Sequence, residues 1–185
     1  METHQHKNEH LIKFENEVAL PFIHSTVNNI KETIIADEKS FVQKYQNIAD
    51  SIFDLIKSLK TEPAYIGFVM LRSKLLYGEY FYDVHLYSEK WYLENYVKIA
   101  ETDVSDFFSD IDTVRNYLEK ERLKIAGKIC LSDIDNIISE NLFEFAENFI
   151  YVLKKAITHA DFTGKTKIYT SELYGKPILI NEEIA

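Results

Sequence analysis

Pro63 marks a change of hydrophobic period, and that change limits the folds open to the chain. Before it, Phe41, Tyr45, Ile48, Ile52, Leu55 and Leu59 recur in alternating steps of four and three, with Val42, Ala49, Phe53 and Ile56 widening the stripe. That spacing is the apolar face of a helix. After it, Tyr65 to Leu71 is a nearly unbroken apolar run, and Tyr80, Tyr82, Val84 and Leu86 alternate with Phe81, Asp83, His85 and Tyr87. A period of two in aromatic and β-branched residues predicts strands. Helix-forming and strand-forming segments follow each other in blocks, so the chain belongs to a mixed class.

The remaining pattern fills in the blocks. Ile23, Val27, Ile30 and Ile34 predict an earlier helix, with Pro21 either opening it or kinking a longer one. The break at Ala36-Asp37 lets the two helices fold into an antiparallel pair. Trp91 to Ala100 offers a third strand. Helix returns after the cap Thr102-Asp103 with Val104, Phe107, Phe108, Ile111, Val114 and Leu118, and Gly127 stops it. Ser132 or Asp133 then caps the longest stripe, Ile134, Ile138, Leu142, Phe145, Phe149, Val152 and Ala156. Lys167 to Tyr174, Gly175-Lys176 and Pro177 to Ile180 read as a second hairpin, Pro177 pushing its strand to an edge.

Only five glycines and three prolines interrupt 185 residues, which argues for long elements and short connections. The expected architecture is one α+β domain over residues 1–185. Four or so long amphipathic helices pack on a small antiparallel sheet built from two hairpins. Residues 1–10 are expected to be disordered, 11–60 a helical pair, 64–100 a hairpin region, 103–159 a second helical pair and 166–181 a C-terminal hairpin.

The balance of 30 acidic against 21 basic residues gives a net charge of −9. Such a field repels phosphate backbones and anionic lipid, so neither nucleic acid nor membrane is expected as a partner, and a basic protein is favoured. No apolar stretch reaches the length of a membrane span, and the N-terminus lacks a signal pattern, so a cytoplasmic location is expected. The single cysteine, Cys130, fits a reducing compartment and, within Ile129-Cys130-Leu131, reads as a buried inert thiol.

Chemistry has few signposts here. Glycine at the first central position of Tyr77-Gly78-Glu79-Tyr80 suits a type II′ turn. A two-residue loop at Gly78-Glu79 sets Lys74 opposite Asp83 and Arg72 opposite His85, with Met70, Leu76, Phe81 and Tyr87 on the same face. Opposite charges across a hairpin are a common stabilising device; a histidine beside a carboxylate and two cations is also an acid–base group, so an enzyme built around His85, Asp83 and Arg72 is the alternative reading. His4, His6 and His10 crowd a terminus without a core. His24, His85 and His159 are scattered, and no metal or other cofactor is expected. The carboxylates at Asp103, Asp106, Asp110 and Asp112, and at Glu140, Glu144 and Glu147, read as solvated helix faces. No phosphate loop, dinucleotide fingerprint, nucleophile elbow or zinc-protease helix occurs.

What stands out is aromatic density. Tyr77, Tyr80, Phe81, Tyr82, Tyr87, Trp91, Tyr92 and Tyr96 fall within twenty residues, among Glu79, Asp83, Glu89 and Glu94. Tyrosine and tryptophan offer large rigid contact area with a polar tip, which suits interfaces. The expected function is a non-catalytic protein-binding module, of the kind by which an acidic inhibitor or immunity-type protein holds a basic partner. Its contact residues are taken as Tyr80, Tyr82, Asp83, His85, Tyr87, Trp91 and Tyr92.

Overall fold

The computed structural model describes residues 9–59, 63–91, 94–125, 127–160, 166–173 and 175–181. The chain opens with helix α1 (Glu9–Phe14), which runs through a π-helical turn (Glu15–Ala19) into α2 (Leu20–Ala36). Glu9 and His10 are therefore helical, where disorder was expected; residues 1–8 lie outside the described set. Pro21 sits immediately after the π turn. Proline lacks an N–H and crowds the carbonyl four residues back, and a wider turn is one way a helix passes such a residue without breaking. The longer helix with a local distortion is thus the outcome at Pro21.

Asp37 alone separates α2 from α3 (Glu38–Ser58). The two helices do not run along each other as the expected pair. Each lies against α7 (Leu131–His159), α3 over the greater length. The α7 stripe from Ile134 to Ala156 is fully buried, as its spacing predicts, and α3 turns Tyr45, Ala49, Ile52, Phe53 and Ile56 towards it. Tyr45, Phe107 and Phe149 form a ring cluster with centroids 5.3 to 5.8 Å apart. Short α5 (Ser105–Phe108) and α6 (Asp110–Arg122) complete the helical layer. Gly127, with φ +73°, follows α6 and its last 3₁₀ turn as a stop signal should.

Five strands make the sheet: β1 (Tyr65–Met70), β2 (Phe81–Tyr87), β3 (Val97–Asp103), β4 (Lys167–Glu172) and β5 (Ile178–Leu179), in spatial order β3-β2-β1-β4-β5. The sheet is mixed rather than wholly antiparallel. β1 pairs antiparallel with β2 but parallel with β4, Tyr65 standing beside Lys167 and Met70 beside Glu172. β1 with β2 and β4 with β5 form the two antiparallel pairs; the direction in which the second docks on the first has no local signal. β5, after Pro177, is an edge strand as expected.

The first hairpin differs in its connection. Arg72–Leu76 is a short helix, α4, not strand. Gly78 does adopt positive φ, +80°, but as the residue that ends this helix. Gly78 N–H donates to Leu75 O at 3.3 Å and Glu79 N–H to Lys74 O at 2.9 Å, the paired bonds of a Schellman motif. Glycine at positive φ serves a II′ turn and a helix stop equally, so the tetrapeptide did not discriminate. The true register pairs Val69 with Asp83 and Gly67 with His85, and Arg72 is not opposite His85. Nor does Gly175 repeat the device, since positive φ in glycine occurs at Gly78 and Gly127 among the described residues. Gly175 instead lies so close to Glu172 that an added Cβ would meet its Cβ at 2.9 Å.

Cys130 is exposed, not buried. It is the N-cap of α7, its N–H donating to Asp133 Oδ2 at 2.8 Å and its thiol lying 2.8 Å from the same oxygen. Its side chain is committed to the helix end and does not pack with its apolar neighbours.

Candidate functional site

The helices cover one face of the sheet. Residues alternate across a strand, so Phe81, Asp83, His85 and Tyr87 of β2 share the other face with Tyr65 and Gly67 of β1 and Tyr169 of β4. In β3 a register shift opposite Val84 and His85 brings Lys98 and Glu101 onto this same face. Four charges then converge on one spot. Asp83 accepts from Lys74 Nζ at 3.1 Å and lies 3.0 Å from Lys98 Nζ; Glu101 Oε1 accepts from Lys98 at 2.6 Å and from Lys74 at 2.9 Å.

Lys74 reaches Asp83 from α4 rather than from an opposing strand, so that pair forms by a different route. Arg72 goes elsewhere, donating to Glu172 and to the Ser139 carbonyl. Burial would raise the Asp83 pKa, and Lys98 and Lys74 overcome it, holding the carboxyl below its ordinary value. His85 is 1% exposed, with Nε2 3.6 Å from Asp83 Oδ2 and without a hydrogen-bond partner. Burial, joined by the charges of Lys98 and Lys74, outweighs Asp83 and keeps the imidazole below its usual 6.5. The ring is roofed by Tyr96, stacked at 3.9 Å and 9° between planes. A general base must touch the proton that it removes, and this one lies under an aromatic lid.

Beside this network stands an aromatic cluster. Trp91 stacks on Tyr87 at 4.8 Å and meets Tyr65 and Tyr169 edge-on at 4.4 and 4.8 Å. Tyr87 lies over Gly67, where a Cβ would meet its ring at 3.0 Å, so the glycine makes room for the stack. Trp91 adopts φ +52°, a conformation seldom taken by a large residue, and its four-ring contact holds it there. Tyr65, Tyr87, Trp91 and Tyr169 are half-buried, and Tyr96 is 40% exposed.

The residues expected to touch a partner separate accordingly. Tyr82 is in the core on the helical side, 1% exposed, its ring 4.8 Å from Phe149 and 5.8 Å from Phe108. Even-numbered β2 residues face the helices, which takes Tyr82 off the aromatic face. Tyr80 is half-buried before β2, its hydroxyl enclosed and its pKa pushed up by burial and by Asp112. Asp83 and His85 lie beneath the surface. Tyr87 and Trp91 are in the cluster, and Tyr92 lies outside the described residues. Sequence reasoning missed Tyr65, Tyr169, Lys98 and Glu101 as members of this face. Tyr65 follows from the true β1–β2 register, which sets it opposite Tyr87, Tyr169 only from the parallel docking of β4, and Lys98 with Glu101 only from the irregular register of β3.

The acidic surround is also different. Glu94 is paired with Lys90 at 2.7 Å, and Asp83 and Glu101 are matched by two lysines, so the face is close to neutral. On the helical side α7 carries Asp133, Asp135, Glu140, Glu144 and Glu147 before its first lysine, Lys154, and Asp135 is paired with Arg115. His24 meets Glu144 at 3.1 Å on the helical side, His85 is under the far face of the sheet and His159 ends α7, so the three do not converge. Among the described residues no three His, Cys, Asp or Glu side chains are grouped to hold a metal ion, and no helix is long and apolar enough to cross a membrane. Compared with protein-family models, with curated proteins and with solved structures, the chain matches none.

Proposed function

We propose that this chain is a non-catalytic protein-binding module whose contact surface is the aromatic end of the sheet's outer face. The observation that carries the reading is the cluster itself: Tyr65, Tyr87, Trp91 and Tyr169 in mutual contact, half-exposed, with Tyr96 beside them. Pre-packed tyrosine and tryptophan lose little side-chain freedom on docking, and such residues dominate the energetics of protein interfaces. An open trough of about 990 Å³ continues from Tyr65 and Tyr87 past Leu59 and Val97, both exposed, and gives a partner segment a concave seat.

A basic protein is the partner class that the charge supports. The net −9 attracts it over distance, while the nearly neutral aromatic face provides the contact without burying an unmatched charge. An acidic inhibitor or an immunity-type protein would work this way.

The test is capture from the native host with wild type, Trp91→Ala and Tyr96→Ala as baits, each checked for folding by circular dichroism. A basic protein held by wild type and released by both substitutions is the expected result. No basic partner, or retention indifferent to both changes, removes the proposal. Tyr82 is unsuitable as a probe, because emptying a buried tyrosine site costs about 3–5 kcal/mol and acts through folding.

A further inference from the structure

On the opposite side of the sheet, α7 does not close fully over β4 and β5. A cavity of about 260 Å³ remains there, open on one side to solvent. Its walls are apolar: Met70 from β1, Phe143, Ala146 and Ile150 from α7, and Ile178 from the edge strand. Protein interiors leave few voids larger than a water molecule, so a space of this size, bounded by regular elements, is itself an observation.

Its polar groups are few, and one is uncommitted. Thr170 directs its hydroxyl proton to the Phe68 carbonyl at 3.0 Å. Glu172 at the rim is held by Arg72. Tyr82 lines the cavity with a side chain almost wholly buried, and its hydroxyl is not among the fully enclosed polar atoms that lack a partner. A hydroxyl at the wall of an apolar cavity offers a donor to a polar group that enters it. Lys176 is exposed at the rim and engages no carboxylate among the described residues.

We infer that this cavity binds a compact amphipathic small molecule, an apolar ring or short chain with a carboxylate head, the body lying among Met70, Phe143 and Ile178 and the head meeting the Tyr82 hydroxyl and Lys176. The size fits. An apolar cavity of roughly 150 Å³ accommodates a benzene ring, so this one holds a ring with a substituent of a few atoms. The site is separate from the aromatic face and does not rest on the protein-binding reading.

The chain has two methionines, Met1 and Met70, so methyl-¹³C methionine labelling gives one signal from inside the cavity. Three probes share a ring and differ in the head: phenylacetate, benzyl alcohol and benzylamine. Phenylacetate is expected to move the Met70 methyl signal saturably, with a dissociation constant of about 1 mM or below. Benzylamine is expected to bind at least about tenfold more weakly, a difference of about 1.4 kcal/mol. Lys176→Gln should bring phenylacetate to the level of benzyl alcohol. Ala146→Leu fills the space from α7 and Ile178→Trp from the edge strand; either should abolish the shift, and the second remains informative if the first fails to fold. A Met70 signal unmoved by all three probes at about 10 mM, or a shift unchanged in both filled variants, overturns the site. Benzylamine binding best overturns the carboxylate assignment. None of these outcomes alters capture by Trp91 and Tyr96, so the two proposals fail separately.

Discussion

At the scale of single residues, His85 makes the sharpest prediction. Its folded pKa is below the unfolded 6.5 because burial disfavours the imidazolium. Protons therefore bind the unfolded chain first as pH falls, and stability that is complete above 6.5 is lost progressively from there down to the folded pKa. Urea midpoints measured between pH 8 and pH 5 should fall for wild type. His85→Phe, which keeps a ring under Tyr96, should flatten that part of the profile. An equal slope in both proteins would mean that other groups carry the dependence. Asp83, lowered by its two lysines after the opposing effect of burial, has its own window: its contribution is present above its unfolded 3.8 and disappears as pH falls through the folded value. The histidine window opens at 6.5 and that of Asp83 only below 3.8, so between pH 8 and pH 5 the histidine effect is read without that of Asp83. Cys130 gives the complementary lesson. Its apolar neighbours describe hydropathy, whereas its side chain is engaged in capping α7 at the surface.

Among the elements, legibility followed the range of the signal. The α7 stripe and the period-two run of β2 are complete within their own segments, and both form where expected. α4 was hidden because five residues are too few to show a helical period, and because the glycine that stops it also fits a hairpin turn. The candidate face was legible in part: Tyr87 and Trp91 were visible as aromatics, but Tyr65 joins them through the β1–β2 register and Tyr169 only across the β1–β4 pairing. Gly67 tests how closely strand and cluster are coupled. An alanine there would press on the Tyr87 ring at 3.0 Å and on Val69 at 3.4 Å. Gly67→Ala should cost about 1–3 kcal/mol by overpacking. Since Trp91 is the only tryptophan, the variant should also shift the emission maximum of the native state, because the ring that stacks on Trp91 must move. Lost stability with unchanged emission would show that the strand yields and the cluster does not.

For the whole molecule, the separation of charge from contact surface sets an expectation for association. The chain carries a net charge of −9, while the carboxylates Asp83 and Glu101 on the aromatic face are matched by Lys74 and Lys98. Attraction by the overall field raises the rate of encounter and is screened beyond roughly 8–10 Å at physiological salt, whereas the docked state is held by packing. Raising ionic strength should therefore slow association with the captured partner and leave dissociation almost unchanged, with Trp91→Ala doing the reverse; surface plasmon resonance separates the two rates. Salt acting mainly on dissociation would place charged groups inside the contact instead.

The parallel pairing of β1 with β4 has a consequence for synthesis on the ribosome. Thr170 bonds to the Phe68 carbonyl across 102 positions of sequence, and strands β2 and β3 and helices α4 to α7 are all made in between. Until β4 emerges, one long side of β1 has no mate, and a nascent chain is left displaying a row of unmet amide and carbonyl groups. β4 thus acts as a latch fitted only after all the elements between have been made, and a chain cut short of β4 should be stickier than its lost mass suggests.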